Sequence, residues 1–466
     1  MPVNNFHVFG FSSTRVWLPV LTLALGAAVQ IHGQDFFRDL GTSRSSGGIG
    51  PAVTASDYTY TDARPSEFRT TTPNPTEVTE QADTYNFALG PGRFGVAVGV
   101  GLEFNDNITL SENHRESDMI LRPLINLDAT WPISETNTLR LGIGASYAKY
   151  FDHSQYDSGG LLVSPTSALT LGIQVGAVKI TVRDRFSYQE EPYDVAPLSN
   201  VANYRRYENQ AGIDVDWPIN QMVSLGVGYD HANLWTSGSN FSSQDHSIET
   251  LFIRPTIQLT PGIKVGLFGS YSAVSFESSE RGDTVGILVG PTVDITFSEH
   301  LALYVEAGYQ SLSSDGTSRF EDDFLRKLTP EERALFNDSS DSGDLYFKLE
   351  LSHKVGPIFE HALSASHTTE LGFYSNSYDL YHIEYSAAFK GLRNTEVGPL
   401  LFYEHYETSG NVGEKADRWG AAIAIRHHFS NNFTVGLDYR FLYKDSNVRD
   451  NDYYQNIAFL SLYYRF

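Results

Sequence analysis

Charged residues recur at even spacing in this 466-residue sequence. Lys179, Arg183 and Arg185 share one parity, and Glu208, Asp214 and Asp216 share one parity in the next segment. On extended strands, even spacing places side chains on a single face. Paired as a hairpin, the two segments bring Arg185 toward Glu208 and Lys179 toward Asp216. One chemistry is a cross-strand salt-bridge ladder that stiffens a wall. The other is a charged constriction that selects among permeating ions. Adjacent opposite charges largely cancel, which favours the ladder. Arg122, Asp128, Arg140, Arg254, Lys264, Arg426 and Arg440 fall on the corresponding faces of their own segments, so water must solvate those faces.

A second set is histidine. His353, His361, His367, His382, His405, His427 and His428 crowd the C-terminal third. A metal site needs three or four ligands converging on one point. Alternation sends His367, His405 and His427 one way and His382 and His428 the other, so the reading is scattered structural histidines. Asp322, Asp323, Asp338 and Asp341 lie in a long segment, 311–344, whose "TPEE" resembles a helix start, but no calcium-loop spacing is present. That segment is read as a solvated surface loop, with an inward-folding constriction as the alternative. No nucleophile–base or paired-carboxylate constellation stands out. The expectation is a non-enzyme without cofactor or metal.

Composition narrows the class. Lys and Arg total 33 against 56 Asp and Glu, a formal charge of −23, which argues against nucleic-acid binding. There is no cysteine, hence no disulfide frame or thiol chemistry. Gly, Tyr and Phe are abundant and Met is scarce, as many amphipathic strands require. Residues 1–33 read as a signal peptide, with Arg15 before the apolar run "VWLPVLTLALGAAV" and cleavage near Gly33 or Gln34. Residues 34–91 are rich in Ser, Thr, Pro and Gly and read as a disordered periplasmic tail. No other stretch could form a membrane helix, so a chain that crosses a membrane here must do so as a closed β-barrel.

Residues 92–466 carry one repeated pattern. Phe94, Val96, Val98, Val100, Leu102 and Phe104 alternate with small or polar residues, and similar runs recur to the end, about eighteen in all. Short connections such as "PINQ", "TPG" and "GLRN" alternate with mostly longer, polar ones such as "QEEPYDVAPLSNVAN". Trp131, Trp217, Phe297, Phe389, Phe429 and Phe466 fall toward the short turns. Tyr147, Tyr188, Tyr229, Tyr271, Tyr309 and Tyr443 fall toward the long loops. Those are two interfacial belts. Pro123, Pro165, Pro255 and Pro291 interrupt outward positions, and each should mark a local irregularity. The fold expected is all-β: an antiparallel outer-membrane barrel with short periplasmic turns and longer extracellular loops.

The chain ends "NIAFLSLYYRF", with Leu462, Tyr464 and Phe466 on the apolar face. This ending resembles the C-terminal aromatic signal by which the outer-membrane assembly machinery recognises barrels. More narrowly, "GVGLEFNDNI", "VRDRFSY" and "FTVGLDYRFLYKDSN…NIAFLSLYYRF" resemble the β-barrel porin family found with exosortase and exopolysaccharide gene sets. The resemblance spans about residues 92–466. It implies an outer-membrane barrel and polysaccharide traffic, and supplies no catalytic residues. Partners expected are outer-membrane lipid, the assembly machinery, and small hydrophilic solutes or polysaccharide. Passive diffusion of small solutes is the leading expectation. Exopolysaccharide export or assembly comes second, and a barrel-rim enzyme third.

Overall fold

A computed structural model describes residues 86–165, 167–192, 195–237, 241–278, 281–314, 341–373, 375–410 and 413–466. The signal segment, most of the 34–91 tail and most of the 311–344 loop lie outside the described residues. In chain order the first elements are β1 (Phe87–Leu89), β2 (Gly92–Asn105), β3 (Asp118–Pro132), β4 (Thr138–Ser146), β5 (Lys149–Tyr150), β6 (Leu162–Val163) and β7 (Ala168–Val175). Next come β8 (Val178–Gln189), β9 (Arg206–Pro218), β10 (Val223–Thr236), β11 (His246–Thr260), β12 (Ile263–Phe276), β13 (Thr284–Ser298) and β14 (Leu301–Ser314). The last are β15 (Asp341–Val355), β16 (Phe359–Leu371), β17 (Ser377–Leu392), β18 (Thr395–Thr408), β19 (Lys415–His428), β20 (Phe433–Ser446) and β21 (Tyr453–Arg465).

Neighbours in sequence pair antiparallel, and β21 returns to β2 from Ala97↔Arg465 to Asn105↔Ile457, which closes the sheet. β4 with β5 fills one wall position, β6 with β7 another, and β1 is a hairpin appended to β2. The described residues therefore form a closed wall of 18 strands. Side-chain parity follows the alternation. Val100, Leu102 and Phe104 are exposed on the outer face, while Glu103 and Asn105 are buried inside. Gly176 and Gly356 take positive φ in two of the short turns, where a Cβ would be strained.

Two aromatics of outward parity, Phe94 and the belt residue Tyr188, are covered by neighbouring rings. Phe94 is fully buried between Phe87 and Trp131. Tyr188 lies under Tyr207, ring centroids 4.4 Å apart, with its hydroxyl donating to Glu190 at 2.5 Å. Phe87 belongs to β1, which runs along the edge of β2 that β21 is too short to reach. Asn86 donates to Val96 O at 2.7 Å beside the bond from Phe466 N to the same oxygen. The base of the closing seam is thus shared by residues from both ends of the described chain.

Each of the four prolines marks an irregularity, of two kinds. Pro123, Pro255 and Pro291 pair normally with one neighbouring strand and interrupt the ladder to the other. At Pro255 the β12 partners jump from Ile253↔Gly269 to Thr256↔Gly266 with no change of register. Pro165 sits in a true bulge that splits the expected single strand 161–175 into β6 and β7: Ala145↔Val163 is followed by Gly142↔Ala168, two residues out of step. A proline has no N–H to give, so one flank must lose a rung.

Inner-face glycines make room for inner-face rings. A Cβ at Gly101 would run into Phe459, one at Gly228 into Phe252, and one at Gly420 into Phe402. These rings lie along the wall over neighbouring glycines instead of projecting into the lumen, covering backbone a side chain would otherwise cover. Gly420→Val should therefore cost about 1–3 kcal/mol through overpacking. Adding Phe402→Ala should restore part of that loss. Urea titration of the refolded barrel reads both, and an unchanged midpoint for Gly420→Val would refute the contact.

Candidate functional site

The long connection 190–205 does not stay at the rim of its own hairpin. Its described parts, 190–192 and 195–205, lie by β8 and against the opposite wall respectively. Ala196 is fully buried against Tyr378, Leu380, Tyr406 and Ala416, inward residues of β17, β18 and β19. Ser199 Oγ donates to Asn451 O at 2.9 Å and accepts from Lys444 Nζ at 2.8 Å. Asn200 N donates to Leu110 O at 3.0 Å, joining a third loop. Val195, Leu198 and Tyr204 form an apolar cluster with Phe373, which lies in the connection after β16. A second tie runs through Gln244, which donates to Phe373 O at 2.7 Å and accepts from Arg281 at 2.8 Å.

The near end of this strap is held by charge. Arg122, inward on β3, donates from Nε to Glu103 at 2.7 Å and from Nη1 to Glu191 at 2.9 Å. Arg206 donates to Glu191 O at 2.9 Å, and Glu190 holds Arg205 at 3.3 Å. At the far end, Lys444 pairs with Glu414 at 3.0 Å. Burial alone would raise the Glu191 carboxyl. The charge of Arg122 and its hydrogen bonds outweigh burial and hold it below the ordinary 4.5. Glu414 is lowered likewise: burial opposes the shift, and Lys444 with the Ser446 hydroxyl overcomes it.

The remaining charged candidates line the inner wall. Arg183 lies in one row with Gly212 and Asp230. Its guanidinium passes over the glycine to reach Asp230 at 2.7 Å while also pairing with Asp214. A Cβ at position 212 would collide with the Asp230 carboxylate, so this bridge depends on glycine. Lys179 stands opposite Asp216 as expected, and Asp216 has Arg254 at 3.8 Å. Arg185 does not meet Glu208. The row that pairs Lys179 with Asp216 puts Arg185 opposite Gln210 and Glu208 opposite Ser187, because antiparallel register is constant along a regular hairpin. Glu208 is held by Arg206 at 2.8 Å, and Arg185 donates to Pro165 O at 3.4 Å. Asp128 is buried with Arg465 as its electrostatic neighbour, and Arg140 is exposed on the inner face.

Leu462, Tyr464 and Phe466 are all exposed on the outer face. Among the histidines, His353 and His361 meet at 3.1 Å, His382 bonds Glu404 at 3.1 Å, and His405 bonds Asp417 at 2.9 Å. No group of three or more His, Asp or Glu among the described residues is arranged to hold a metal ion.

Reading by parity missed Asp230 and the inward strap. The first was legible, since Asp230 shares the inward parity of β10. The strap left a signal too: Val195, Ala196, Leu198, Val201 and Tyr204 are more apolar than a solvated loop requires.

No family model matches this chain, and no curated protein matches it. Among solved structures it is similar to OpdK of Pseudomonas aeruginosa, described in complex with vanillate. The identity is 9% over 81% of this chain and 100% of that one, with a TM-score of 0.43. A BenF-like porin from Pseudomonas fluorescens also matches at 9% identity over 81% and 100%, TM-score 0.45. OccAB3 of Acinetobacter baumannii matches at 10% over 81% and 100%, TM-score 0.44. The barrel assignment rests on the chain's own closed ladder.

Two outcomes are expected. Arg183→Gln strips Asp230 of its buried partner and should cost about 3–5 kcal/mol. Arg183→Met with Asp230→Leu should cost much less, and equal losses for the two variants would argue against the bridge. The second concerns pH. A carboxyl lowered by folding stabilises the strap above pH 4.5, and that support is lost as pH falls through its lowered value. Bilayer current should be quiet at neutral pH and show loop fluctuations only on strong acidification. Fluctuations that appear on raising the pH would have the wrong sign.

Proposed function

We propose that the protein is a bacterial outer-membrane channel through which small hydrophilic solutes pass by diffusion. One observation carries the reading: a closed wall with an apolar outer face and an ion-lined inner face, narrowed by a strap of its own chain. Walls of about 16–18 strands are wide enough to leave an aqueous path that side chains do not fill. The strap and its ties restrict that path, so size exclusion acts at the mouth. Below it the inner charges are not evenly spread. Arg426, Arg440 and Arg140 lie on the arc that runs from β19 through the closing seam to β8, while Glu350, Glu384 and Glu396 lie on the arc from β15 to β18. A charged or dipolar solute would be turned by that difference as it passes. The exposed Leu462, Tyr464 and Phe466 fit recognition by the assembly machinery during insertion.

A role in exopolysaccharide export or assembly is the second reading. It draws on the sequence resemblance and on the place where the N-terminal tail joins the wall. Asn86 and Phe466 both bond Val96 O at the base of the seam, so a partner bound to the tail would dock beside the periplasmic rim.

Purified protein in a planar bilayer should give discrete ohmic steps in potassium chloride, and replacing residues 195–201 by a short glycine–serine link should enlarge them. A correctly folded barrel silent with and without the strap would reject diffusion in favour of the export role.

A further inference from the structure

β1 runs down toward the short turns, and β2 climbs away from them. Between them is the tight turn Gly90–Pro91, with Gly90 at φ 58°. Phe87 pairs with Phe94 and Leu89 with Gly92, so Asn86 stands at the upper end of β1. It lies beside Gly95, its N–H donating to Phe94 O at 2.9 Å and its side chain to Val96 O at 2.7 Å. Three residues at roughly 3.3 Å each, on a strand tilted about 40°, place it roughly 8 Å above Gly92. The chain thus reaches Asn86 from within the height of the barrel.

That approach cannot run along the wall. The edge of β2 above Asn86 is filled by β21, with Arg465 opposite Ala97 and Phe466 N on Val96 O. Two faces remain. The outer one carries the exposed rings of Phe87, Trp131, Tyr464 and Phe466. The inner one is basic. Arg93 of β2, Thr130 of β3 and Arg140 of β4 share one row, and both arginines are exposed. The next inward row up holds Gly95, Asp128 and Gly142, where the buried Asp128 alone has a side chain. Arg465 faces inward beside them, with Asp128 as its electrostatic neighbour.

Residues 70–85, which lie outside the described residues, read "TTTPNPTEVTEQADTY" and contain Glu77, Glu80 and Asp83 but no Lys or Arg. Carboxylates are costly beside rings that hydrocarbon covers, and guanidinium groups are their natural partners. Asp83 is three residues from Asn86 and Glu80 is six, a reach of about 10 and 20 Å in extended chain. Arg93 is one strand from β1 and Arg140 three, roughly 5 and 15 Å away.

We infer that the acidic stretch 77–83 enters the lumen from the periplasmic mouth and lies on the inner face of β2 to β4, against Arg93, Arg140 and Arg465. It narrows the channel from below, as the strap does from above. A free anion could visit the same arginines, but this stretch is tethered beside them, which gives it a high effective concentration. The inference rests on the membrane reading above, since without lipid the outer face would be as open to an acidic chain as the inner one.

The sequence has no cysteine, so an introduced pair is the sole source of a disulfide in the full chain. Oxidation should join the thiols of a Glu80→Cys, Arg140→Cys variant within one molecule, read by gel mobility and by the mass of the linked peptide. Asp83→Cys with Arg93→Cys is the second pair should the first fail to insert. Glu80→Cys with Leu139→Cys, whose wall thiol faces outward one residue away, should stay reduced. A bond in that outward pair, or none in either inward pair, would overturn the inference. Glu77→Lys, Glu80→Lys and Asp83→Lys together should raise the conductance step in a planar bilayer, and an unchanged or smaller step would also overturn it. Ohmic steps without an inward disulfide reject the place given to this stretch and keep the channel. A barrel that forms the inward disulfide and never conducts rejects the channel alone.

Discussion

A peptide group that faces hydrocarbon has no water to fall back on, so its N–H and C=O must be paired within the wall. The closure of β21 on β2 meets that demand for the wall, since each of its 18 positions among the described residues then has a neighbour on both sides. Much else depends on it. The pairing of Val98 with Tyr464 ties residues at the two ends of the wall, so the register there sets which side chains face out all the way around. Where β21 stops short, β1 takes over the remaining edge of β2, and Asn86 and Phe466 share one carbonyl. The prolines show the tolerance of this scheme: a rung can be lost on one flank while the other holds the register.

Closure also creates an interior that has to be furnished. Part of the solution is flat, with inner rings laid over neighbouring glycines. Part is ionic, as where Arg183 spans Gly212 to reach Asp230 two strands away. The strap joins two facing parts of the wall. Ala196 is buried against inward faces of the opposite wall, Val195, Leu198 and Tyr204 pack with Phe373 of another connection, and charges anchor both ends. The arrangement braces the barrel across its diameter and narrows it with the same residues.

β8 and β9 combine these roles. Their inner faces carry the Arg183 bridge, their connection forms the strap, and their outer faces hold Asp184 and Asn209.

The barrel was legible in the sequence because alternation is a local property. Parity along a strand needs no knowledge of its partners, so the outer and inner faces, the turns and the aromatic belts could be read residue by residue. What parity cannot give is distance across the lumen or the covering of one outward ring by another. Arg185 and Glu208 share a face and a hairpin but miss each other by two residues, since register belongs to the pair of strands. Phe94 and Tyr188 have outward parity and are nonetheless buried, because neighbouring strands bring rings over them. The strap's destination was hidden for the same reason: Ala196 and Tyr406 are far apart in sequence and meet only because the closed wall sets their strands face to face. Sequence by itself determined which residues look inward; the closed tertiary structure decided which of them meet, because meeting across a barrel depends on closure and register.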